Sequence, residues 1–447
     1  MTKLNGWKKD TALMLVCVAA VAANAQTFTT LVDFNGTNGE NPWFMSMVQG
    51  RDGNFYGATI ESVFKISSEG TLGSQFGVGS FNGLILAEDG NFYGIMSGYL
   101  SKITSKGTID QFCSLPIRGP FYAGVVLGND GNFYGTTYQG GISTGICAPQ
   151  GCGTVFKVTP TCVYTTIHSF DGTDGANPYS TLIQTIDGSF YGTTYLGGAS
   201  DEGTVFKVTS KGSLTSLHSF NGVSDGDEPT AGLVEGSDGN FYGTTYYGLG
   251  GVGSVFKMTP SGDLTTLAYD GNVGCQPYGG ALIQATDGNF YGTFSTCGAY
   301  NYGSVAQITP TGVMTAIHSF DNTDGANPFG GLVQGTDGKI YGATTEGGDL
   351  NCSGNDGCGT VFSIDMGLGP FVAFVRPYGK VGQTGGILGQ GFTGTTSVML
   401  NGIPVNFTVV SDTFIKATVP PGASTGYVTV TTPTGVLTSN VPFHVIP

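Results

Sequence analysis

Charged residues are scarce in this sequence, and positively charged residues are the scarcest. Only 11% of the residues are Asp, Glu, Lys or Arg, and 16 Lys and Arg stand against 31 Asp and Glu, which gives a net charge of −15. So acidic a chain lacks the positively charged surface that binding to nucleic acid or anionic lipid requires. The low charged fraction also argues against disorder. The composition therefore indicates a folded protein that binds no nucleic acid.

Helix-forming patterns are also missing. No stretch reads as a long amphipathic helix, whereas 77 residues are Gly and 12% of the chain is aromatic. Glycine marks tight turns, and aromatic and β-branched residues favour strands. The sequence therefore predicts an all-β protein of short strands joined by tight turns.

A long apolar run stands near the start of the chain. Three lysines precede twelve apolar residues, Ala12 to Ala23, which are too few to span a bilayer. Ala23-Asn24-Ala25 then has the form of a signal-peptidase site. Residues 1–25 are thus predicted to be a signal peptide, with no transmembrane helix after cleavage. The exported protein is expected to be secreted or held at the outer cell surface, and periplasmic residence fits the same signal.

The hexapeptide DGNFYG, at Asp52–Gly57, recurs along the chain. It returns unchanged or nearly so at six further places, which begin at Asp89, Asp130, Asp187, Asp238, Asp287 and Asp337. The intervals between successive copies run from 37 to 57 residues. Self-similarity at such a period is the signature of a repeat architecture.

One repeat, residues 231–268, reads as four short strands. Leu233–Glu235 and Asn240–Thr245 flank an Asp-Gly turn, and Ser254–Thr259 and Leu264–Leu267 follow a glycine-rich loop and a Pro-Ser-Gly turn. Four short antiparallel strands per unit, repeated seven times, predict a β-propeller.

The two ends of the repeat region predict how it closes. The last repeat stops after its third strand at Gly359–Ile364, and Phe28–Phe34 matches a fourth strand such as Leu214–Phe220. An open ring would leave unpaired strand edges, which promote aggregation. We therefore predict a seven-bladed β-propeller over residues 26–366, closed by the N-terminal strand.

The repeat also resembles a known family. The pattern G-T-V-F-K-V-T, then L-H-S-F-x-G-T-D-G-A-N-P, then L-I-Q-x-x-D-G-x-F-Y-G-T-T stands nearly whole at residues 153–194 and 303–344, and more loosely over 27–366. It is similar to the tandem GloVer repeat of exported bacterial proteins. The resemblance implies a propeller-like repeat joined to varied C-terminal anchoring or sorting modules, and it implies no known reaction.

The composition changes at the Gly- and Pro-containing segment 366–370, where the repeat ends. Val375–Gly379, Gly389–Phe392, Val398–Gly402 and Thr425–Thr431 then stand at the spacing of the IPT/TIG immunoglobulin-like domain. The similarity implies that residues 370–447 form a small Ig-like β-sandwich, which in exported proteins resembles a spacer or interaction module.

Eight of the nine cysteines follow the predicted cleavage site, in a compartment where disulfides persist. Three pairs flank a short loop or one copy of the hexapeptide: Cys147 with Cys152, Cys352 with Cys358, and Cys275 with Cys297. Disulfides are favoured over a zinc site, because the C-x2-C spacing and nearby histidines are missing. The pairing of Cys113 and Cys162 stays open.

Three of the four histidines, His168, His218 and His318, share one place in the repeat. A catalytic histidine is expected to be single and partnered. These three fall on different blades, and no nucleophile or orienting group accompanies them in the sequence pattern. A structural role is favoured over catalysis.

Acidic residues recur in the inter-blade loops. They are Asp171, Asp174, Asp225, Asp227, Glu228, Asp321 and Asp324. Calcium prefers several oxygen ligands from a flexible loop, so Asp171 with Asp174 and Asp321 with Asp324 are candidate calcium ligands. The spacing is not that of an EF-hand, and Asx-Gly turns account for most of the pattern. No other cofactor is predicted.

Tyrosine follows the second strand in three consecutive repeats, at Tyr138, Tyr195 and Tyr246, with Tyr247 beside the last. In a propeller this loop lies on the same face as the inter-blade loops. Neighbouring tyrosines there would form an aromatic platform whose rings stack on a flat ligand while their hydroxyls form hydrogen bonds. The plainer alternative, in which the rings only cover the glycine-rich loops, is favoured.

These patterns favour an exported, non-enzymatic binding or cell-surface protein whose propeller loop face takes an extracellular glycan or protein. One alternative is a propeller enzyme, a lyase or hydrolase acting on an extracellular polymer, which requires acidic or His residues clustered on one face. Another is a structural surface or adhesion component, which would self-associate or stay at the cell surface without any soluble ligand. Fold alone does not decide, since propellers host many activities.

Overall fold

The computed structural model describes residues 26–446, apart from residues 44–45, 74, 78–80, 117–121, 249, 353 and 355. The predicted signal peptide lies outside the described residues. The chain is all-β and includes a short 3-10 helix at Gly145–Cys147. In the part that the structure describes, no helix has the length and apolar character needed to cross a membrane.

The strands before residue 366 pair into seven antiparallel sheets. The strands are β1 (Thr27–Asp33), β2 (Val48–Gln49), β3 (Phe55–Ala58), β4 (Val63–Ile66), β5 (Phe81–Leu86), β6 (Phe92–Met96), β7 (Tyr99–Ile103), β8 (Ile109–Ser114), β9 (Val125–Leu127), β10 (Phe133–Thr137), β11 (Thr154–Val158), β12 (Tyr164–Ser169), β13 (Ile183–Gln184), β14 (Phe190–Thr194), β15 (Thr204–Val208), β16 (Leu214–Ser219), β17 (Val234–Glu235), β18 (Phe241–Thr245), β19 (Ser254–Met258), β20 (Leu264–Ala268), β21 (Ile283–Gln284), β22 (Phe290–Phe294), β23 (Ser304–Ile308), β24 (Met314–Ser319), β25 (Val333–Gln334), β26 (Ile340–Thr344) and β27 (Thr360–Asp365). Sheet one is β2–β4, and sheets two to six are β5–β8, β9–β12, β13–β16, β17–β20 and β21–β24. Sheet seven runs in the order β1-β27-β26-β25.

Sheet seven joins the two ends of the repeat region. Strand β1 pairs antiparallel with β27, with Thr27 opposite Asp365 and Asp33 opposite Thr360. The register shifts between Thr30 and Val32, as at a β-bulge. The N-terminal strand therefore supplies the fourth strand of the last sheet.

Sheet one departs from the predicted four strands. Among the residues that the structure describes after β4, Leu72 and Phe76 form isolated bridges with Ile66 and Val63 and belong to no strand. The segment contains Gly73, and glycine weakens a strand because it has no side chain to pack. The ladder is therefore interrupted at this place in the first repeat.

The aspartate of the hexapeptide holds the turn between the first and second strands. In sheet five, Asp238 accepts the backbone N–H of Asn240 at 3.1 Å and the hydroxyl of Tyr242 at 2.9 Å, and it pairs with Lys257 at 2.8 Å. Burial acts to raise the pKa of Asp238, but these bonds together outweigh it and hold the pKa below its usual value. The Tyr-to-Asp bond recurs at Tyr56, Tyr93, Tyr134, Tyr291 and Tyr341.

Apolar clusters fill the spaces between successive sheets. Between sheets three and four, for example, Tyr134 packs in one cluster with Phe190. Five further clusters join the other consecutive sheets in the same way. A seventh joins the last sheet to the first, through Tyr341 and Phe55, whose ring centroids lie 4.0 Å apart. Each sheet is thus buried on both faces, which explains why an apolar residue and Tyr can stand side by side in every copy of the hexapeptide.

Three further sheets follow residue 366. Their strands are β28 (Ala373–Phe374), β29 (Tyr378–Lys380), β30 (Thr384–Leu388), β31 (Ser397–Leu400), β32 (Ile403–Pro404), β33 (Asn406–Ser411), β34 (Phe414–Thr418), β35 (Val428–Thr432), β36 (Gly435–Thr438) and β37 (His444–Ile446). The sheet orders are β28-β30-β34-β33 and β32-β31-β35-β36, and β29 pairs in parallel with β37. The two larger sheets share one apolar core, in which Val372, Ile415 and Val430 are fully buried.

These C-terminal sheets contact the hexapeptide turns of sheets one and two. The Thr413 hydroxyl donates to the Arg51 carbonyl at 2.7 Å, and the Arg51 guanidinium lies 4.4 Å from the centre of the Phe414 ring. Arg376 lies 3.7 Å from the Glu88 carboxylate. The hexapeptide turns stand at the opposite strand ends from the loops that connect one sheet to the next. The C-terminal sheets therefore dock at the end opposite to the inter-sheet loops.

Candidate functional site

Two kinds of loop meet at one end of the repeat sheets. Each of four inter-sheet loops bridges the loop that follows a second strand: Ala176 to Leu196, Asp227 to Tyr247, Cys275 to Thr296 and Ala326 to Glu346. The residue before each bridge is held by a further backbone hydrogen bond. In sheet five, for example, the Tyr246 N–H donates to the Glu228 carbonyl at 3.1 Å. These bonds therefore hold Tyr195, Tyr246 and Tyr247 against the inter-sheet loops.

The four predicted tyrosines belong to one larger cluster of rings, which we call the aromatic shelf. Its members are Trp43, Tyr122, Tyr138, Tyr179, Tyr195, Tyr246, Tyr247, Tyr278 and Phe329. Five of these rings were not selected by the second-strand pattern. The shelf draws on the loops of six sheets, so it is formed by the repeat region as a whole.

A row of five rings forms the backbone of the shelf. Tyr122 stacks on Tyr179 with centroids 4.3 Å apart, and Tyr179 lies 5.8 Å from Tyr278. Tyr278 lies 5.4 Å from Phe329, which lies 5.5 Å from Trp43. The predicted tyrosines attach to this row: Tyr138 to Tyr122 at 5.1 Å, Tyr195 to Tyr179 at 6.1 Å, Tyr246 to Tyr278 at 4.8 Å, and Tyr247 to Tyr246 at 4.3 Å.

The shelf combines a buried centre with an open rim. Tyr179 is only 8% exposed, whereas Trp43 is 41% and Tyr247 is 37% exposed. Tyr138, Tyr195 and the remaining rings are half-buried. Packing at the centre holds the rings in place, and the rim presents aromatic surface to solvent. The rings thus cover the loops and still offer faces for stacking.

Burial and hydrogen bonding favour the neutral phenol in several tyrosines of the shelf. The Tyr179 and Tyr278 hydroxyls lie 3.0 Å apart and share a hydrogen bond. Burial, followed by that bond, raises the pKa of Tyr179 above its usual value. Burial also raises the pKa of Tyr138 and, together with the neighbouring Glu228 carboxylate, that of Tyr195. These hydroxyls can donate hydrogen bonds to a ligand and accept hydrogen bonds from it, but they are poor bases or nucleophiles.

A cavity of about 210 Å³ lies beside the shelf, where the first strands of the sheets converge. Segments from six sheets line it, and Tyr122 and Tyr179 form part of its wall. The convergence is close enough to require glycine, because a Cβ on Gly124 would lie 2.8 Å from the Cα of Gly83. The shelf therefore lies next to the place where the first strands of these sheets converge.

Two carboxylates border the shelf in the loop before sheet five. One oxygen each of Asp227 and Glu228 is buried and accepts no hydrogen bond from the residues that the structure describes. Burial, then repulsion from Glu202 and the other neighbouring carboxylates, raises the pKa of Asp227 to about 6. Burial also raises the pKa of Glu228. Negative charge is therefore concentrated next to aromatic faces.

The shelf rings that the sequence prediction missed mostly share one position. Four of them follow a proline in an inter-sheet loop, as Pro42-Trp43, Pro178-Tyr179, Pro277-Tyr278 and Pro328-Phe329. Each pair stands a short, nearly constant distance before the hexapeptide. A comparison of inter-sheet loops, as well as of second strands, would have found them.

The three repeat histidines each have a carboxylate partner. The Nε2 atoms lie 2.7 to 2.9 Å from aspartate oxygens in the pairs His168–Asp174, His218–Asp225 and His318–Asp324. The expectation that no orienting group accompanies these histidines is therefore wrong, because each inter-sheet loop folds back onto the strand that precedes it. The pairs belong to sheets three, four and six, where they fasten the loops to the strands.

The candidate calcium ligands form internal turns. The Asp171 carboxylate accepts the N–H and hydroxyl of Thr173 and the N–H of Asp174, and Asp174 accepts the N–H of Asp171. The same bonds recur at Asp321 and Asp324. These are Asx turns, which need no ion. Calcium binding at these loops stays a prediction.

Disulfides join the cysteines in four pairs. The pairs are Cys147–Cys152, Cys275–Cys297 and Cys352–Cys358, as the spacing predicts, and Cys113–Cys162, which the sequence left open. The last links the outer strand of sheet two to a turn of sheet three. Within the described residues, Glu40, Cys352 and Cys358 are the only trio of possible metal ligands, and its two cysteines are already bonded to each other.

Sequence comparison finds one family. The Gloeobacter/Verrucomicrobia repeat matches residues 80–270 and 248–387. No curated protein matches the sequence.

Solved structures of similar fold come from proteins of several kinds. The virginiamycin B lyase from Staphylococcus aureus is 13% identical, with a TM-score of 0.51 over 76% of this chain and 99% of its own. The extracellular domain of a B. thetaiotaomicron protein described as a hybrid two-component system is 10% identical, with a TM-score of 0.51 over 95% of this chain, which spans 60% of that domain. A fungal alcohol oxidase of the AA5 family, in complex with copper, is 12% identical, with a TM-score of 0.57 over 95% of this chain and 100% of its own. At such low identity the likeness shows the fold alone, which is all-β and propeller-like.

Proposed function

This chain belongs to the Gloeobacter/Verrucomicrobia repeat family, and we propose that it is an exported, non-enzymatic protein that binds an extracellular glycan on the aromatic shelf. The observation that carries the proposal is the shelf itself. Rings from the loops of six sheets lie in one contact cluster, with Trp43 and Tyr247 open to solvent at its rim.

The proposed architecture is a closed ring of seven blades over residues 26–366, followed by an IPT/TIG-like sandwich over residues 370–447. Three observations support the ring: the seven sheets, the pairing of β1 with β27, and the apolar cluster that joins the last sheet to the first. In such a ring all inter-sheet loops share one face. The C-terminal sandwich meets the other face and can tether the ring without covering the shelf.

Export is supported by three features. The predicted signal peptide opens the chain, four disulfides join its cysteines, and disulfides persist in oxidising compartments outside the cytosol. Structures of similar fold include an extracellular domain. The protein is therefore proposed to act outside the cytoplasm, in the medium or at the cell surface.

A glycan suits the chemistry of the shelf. Sugar rings present flat faces of C–H groups that stack on aromatic rings, and their hydroxyls pair with phenols and carboxylates. The Tyr179–Tyr278 hydroxyl pair and the Glu228 carboxylate stand among the rings. A row of rings, rather than one deep pocket, suits an extended chain with several sugar units.

Calorimetric titration of residues 26–447 against a panel of polysaccharides tests the proposal. We expect saturable binding to at least one of them, and binding at least about tenfold weaker in the variant Tyr138→Ala/Tyr195→Ala/Tyr246→Ala, since loss of one central aromatic contact often costs more than 1 kcal/mol. Tyr427→Ala, which removes an exposed tyrosine of the C-terminal sandwich, should bind normally. Full binding by the triple variant, or no binding by the folded protein, would contradict the proposal.

A further inference from the structure

The loop before sheet five differs from four other inter-sheet loops at one position. The residue before the loop proline is an amide in four other loops: Asn41, Asn177, Gln276 and Asn327. In the loop before sheet five it is Glu228. The repeat therefore allows a direct comparison of an amide and a carboxylate at the same place.

At two of these positions the side-chain amide holds the loop in place by a hydrogen bond. The Asn177 side-chain N–H donates to the Tyr138 carbonyl at 2.8 Å, and the Asn41 side-chain N–H donates to the Thr345 carbonyl at 2.9 Å. Each bond fastens an inter-sheet loop to the preceding sheet. An ionised carboxylate only accepts hydrogen bonds, so Glu228 cannot perform this task. The carboxylate at this position needs another explanation.

The Glu228 carboxylate lies among the rings of the shelf. The backbone carbonyl of Glu228 accepts the Tyr246 N–H at 3.1 Å, and the Glu228 side chain lies next to the Tyr195 hydroxyl. Asp227 is held beside Tyr247 by a two-way backbone bridge, with bonds of 3.1 and 3.3 Å. Two carboxylates and three tyrosines thus share one corner of the shelf.

This corner has negative charge without a matching cation. None of the ion pairs between described residues involves Asp227 or Glu228. One oxygen of each is buried and accepts no hydrogen bond within the described chain. A buried, unpaired carboxylate is costly, and a cation from outside the chain would relieve that cost.

We propose that the glycan bound on the shelf carries a protonated amine, and that Glu228, supported by Asp227, binds that amine against Tyr195 and Tyr246. The inference rests on the proposed glycan-binding function and narrows it to amine-bearing sugars. Aromatic faces attract cations, and an ammonium forms strong, charge-assisted hydrogen bonds with carboxylates. The rings hold the sugar and the carboxylates select its amine.

Two matched oligosaccharides test the inference. Oligomers of β-1,4-linked glucosamine and of N-acetylglucosamine have the same length and rings, but only the first carries protonated amines. Titrated into residues 26–447 where the amine is charged, the glucosamine oligomer should bind about tenfold or more tighter, because a bond between charged groups contributes about 1.5–3 kcal/mol. The same titration with EDTA present should give the same preference.

Two variants locate the preference. Glu228→Gln restores the side chain that the repeat uses at Gln276, so it should fold and lose most of the preference for the amine. Asp263→Asn removes the same charge from an exposed turn at the other end of sheet five and should keep the preference.

The outcomes separate this inference from the proposed function. Equal binding of both oligomers, lost in the triple tyrosine variant, would overturn the amine inference and leave glycan binding in place. A preference that survives Glu228→Gln, or that requires calcium, would also overturn it. Failure of the folded protein to bind either oligomer or any polysaccharide would overturn both.

Discussion

Asp227 is held where its own charge is unfavourable. It stands on the rim of the shelf with Glu202, Asp225 and Glu228 nearby, and burial and these neighbours raise its pKa from 3.8 to about 6. The folded state therefore keeps a proton that the unfolded state releases at the same pH. The stabilisation from that proton is fully present below pH 3.8 and is lost as the pH rises through about 6.

Asp227→Asn should stabilise the protein only above about pH 6, where Asp227 has lost its proton. The amide keeps the shape and removes the charge, so the free energy of unfolding should rise by about 1 kcal/mol above pH 6, less than the shift alone implies because water screens a partly exposed group. Below pH 4 the two proteins should match. Denaturant titrations at several pH values measure the difference, with Asp263→Asn as the control. An equal gain at every pH would contradict this account.

The residues of the shelf were only partly predictable from sequence. Tyr138, Tyr195 and Tyr246 follow a motif that repeats unchanged, so their shared place is visible by alignment of the repeats. Tyr122 gives no such signal, because its loop departs from the others and its stacking on Tyr179 arises only when sheets three and four pack together. Contacts between loops of different sheets depend on how the sheets pack against one another.

At the scale of the strand, the closing glycine of the hexapeptide makes room for the neighbouring strand. In β18, a Cβ on Gly243 would lie 2.5 Å from the Phe256 ring and 2.9 Å from Leu233. Phe256 is fully buried in the cluster between sheets four and five. The glycine is needed because the Phe256 ring occupies the space that a Cβ would fill, and no turn is involved.

Gly243→Ala should therefore destabilise the protein by roughly 1–3 kcal/mol, the range for overpacking a well-filled core. Guanidinium titration followed by circular dichroism gives the change. Gly369→Ala is the matched control, since in the described structure its added methyl group would meet no heavy atom within 4 Å. A Gly243→Ala protein as stable as the control would show that the Phe256 ring moves aside without cost.

The strands themselves were the most predictable feature. The second and third strands, typified by Phe-Tyr-Gly and Thr-Val-Phe-Lys, carry strong β-formers, and a strand forms at both places in every repeat. The fourth strand of the first repeat was predicted and is replaced by the isolated bridges of Leu72 and Phe76. Glycine in that segment outweighs the pattern that holds in the other repeats.

At the scale of the whole molecule, closure of the proposed ring depends on β1. Phe28 stacks on His318 of sheet six at 3.6 Å and lies 5.5 Å from Phe362 of sheet seven. The strand thus completes one sheet and packs against the sheet before it. Without β1, the edge of β27 would be left unpaired, and unpaired edges invite association.

Phe28→Ala should weaken this closure. We expect a loss of about 2 kcal/mol in the free energy of unfolding, below the usual cost of Phe→Ala because the ring is half-buried, together with concentration-dependent self-association. Thr29→Ala, an exposed change on the same strand, serves as the control. Denaturation and light scattering after size exclusion measure the two effects. A stable, monomeric Phe28→Ala protein would show that β1 is not needed for closure.

The placement of the C-terminal sheets was not predictable from sequence. The pairing of the two repeat ends is readable because both ends are fragments of one pattern. The contact of Arg51 with Thr413 and Phe414 joins residues more than 360 positions apart, and no local pattern marks it. This contact depends on the complementary surfaces of the repeat sheets and the C-terminal sheets, which exist only after both have folded.

Tryptophan fluorescence tests the central claim, that a glycan occupies the aromatic shelf. The sequence has two tryptophans, and Trp7 lies in the predicted signal peptide, which leaves Trp43 on the shelf rim as a built-in reporter. Residues 26–447 would be titrated with the oligosaccharide that binds best by calorimetry. The account predicts a saturable change in Trp43 emission with the calorimetric Kd, and its loss in the triple tyrosine variant. Calorimetric binding without any change in emission would place the ligand elsewhere and contradict the account.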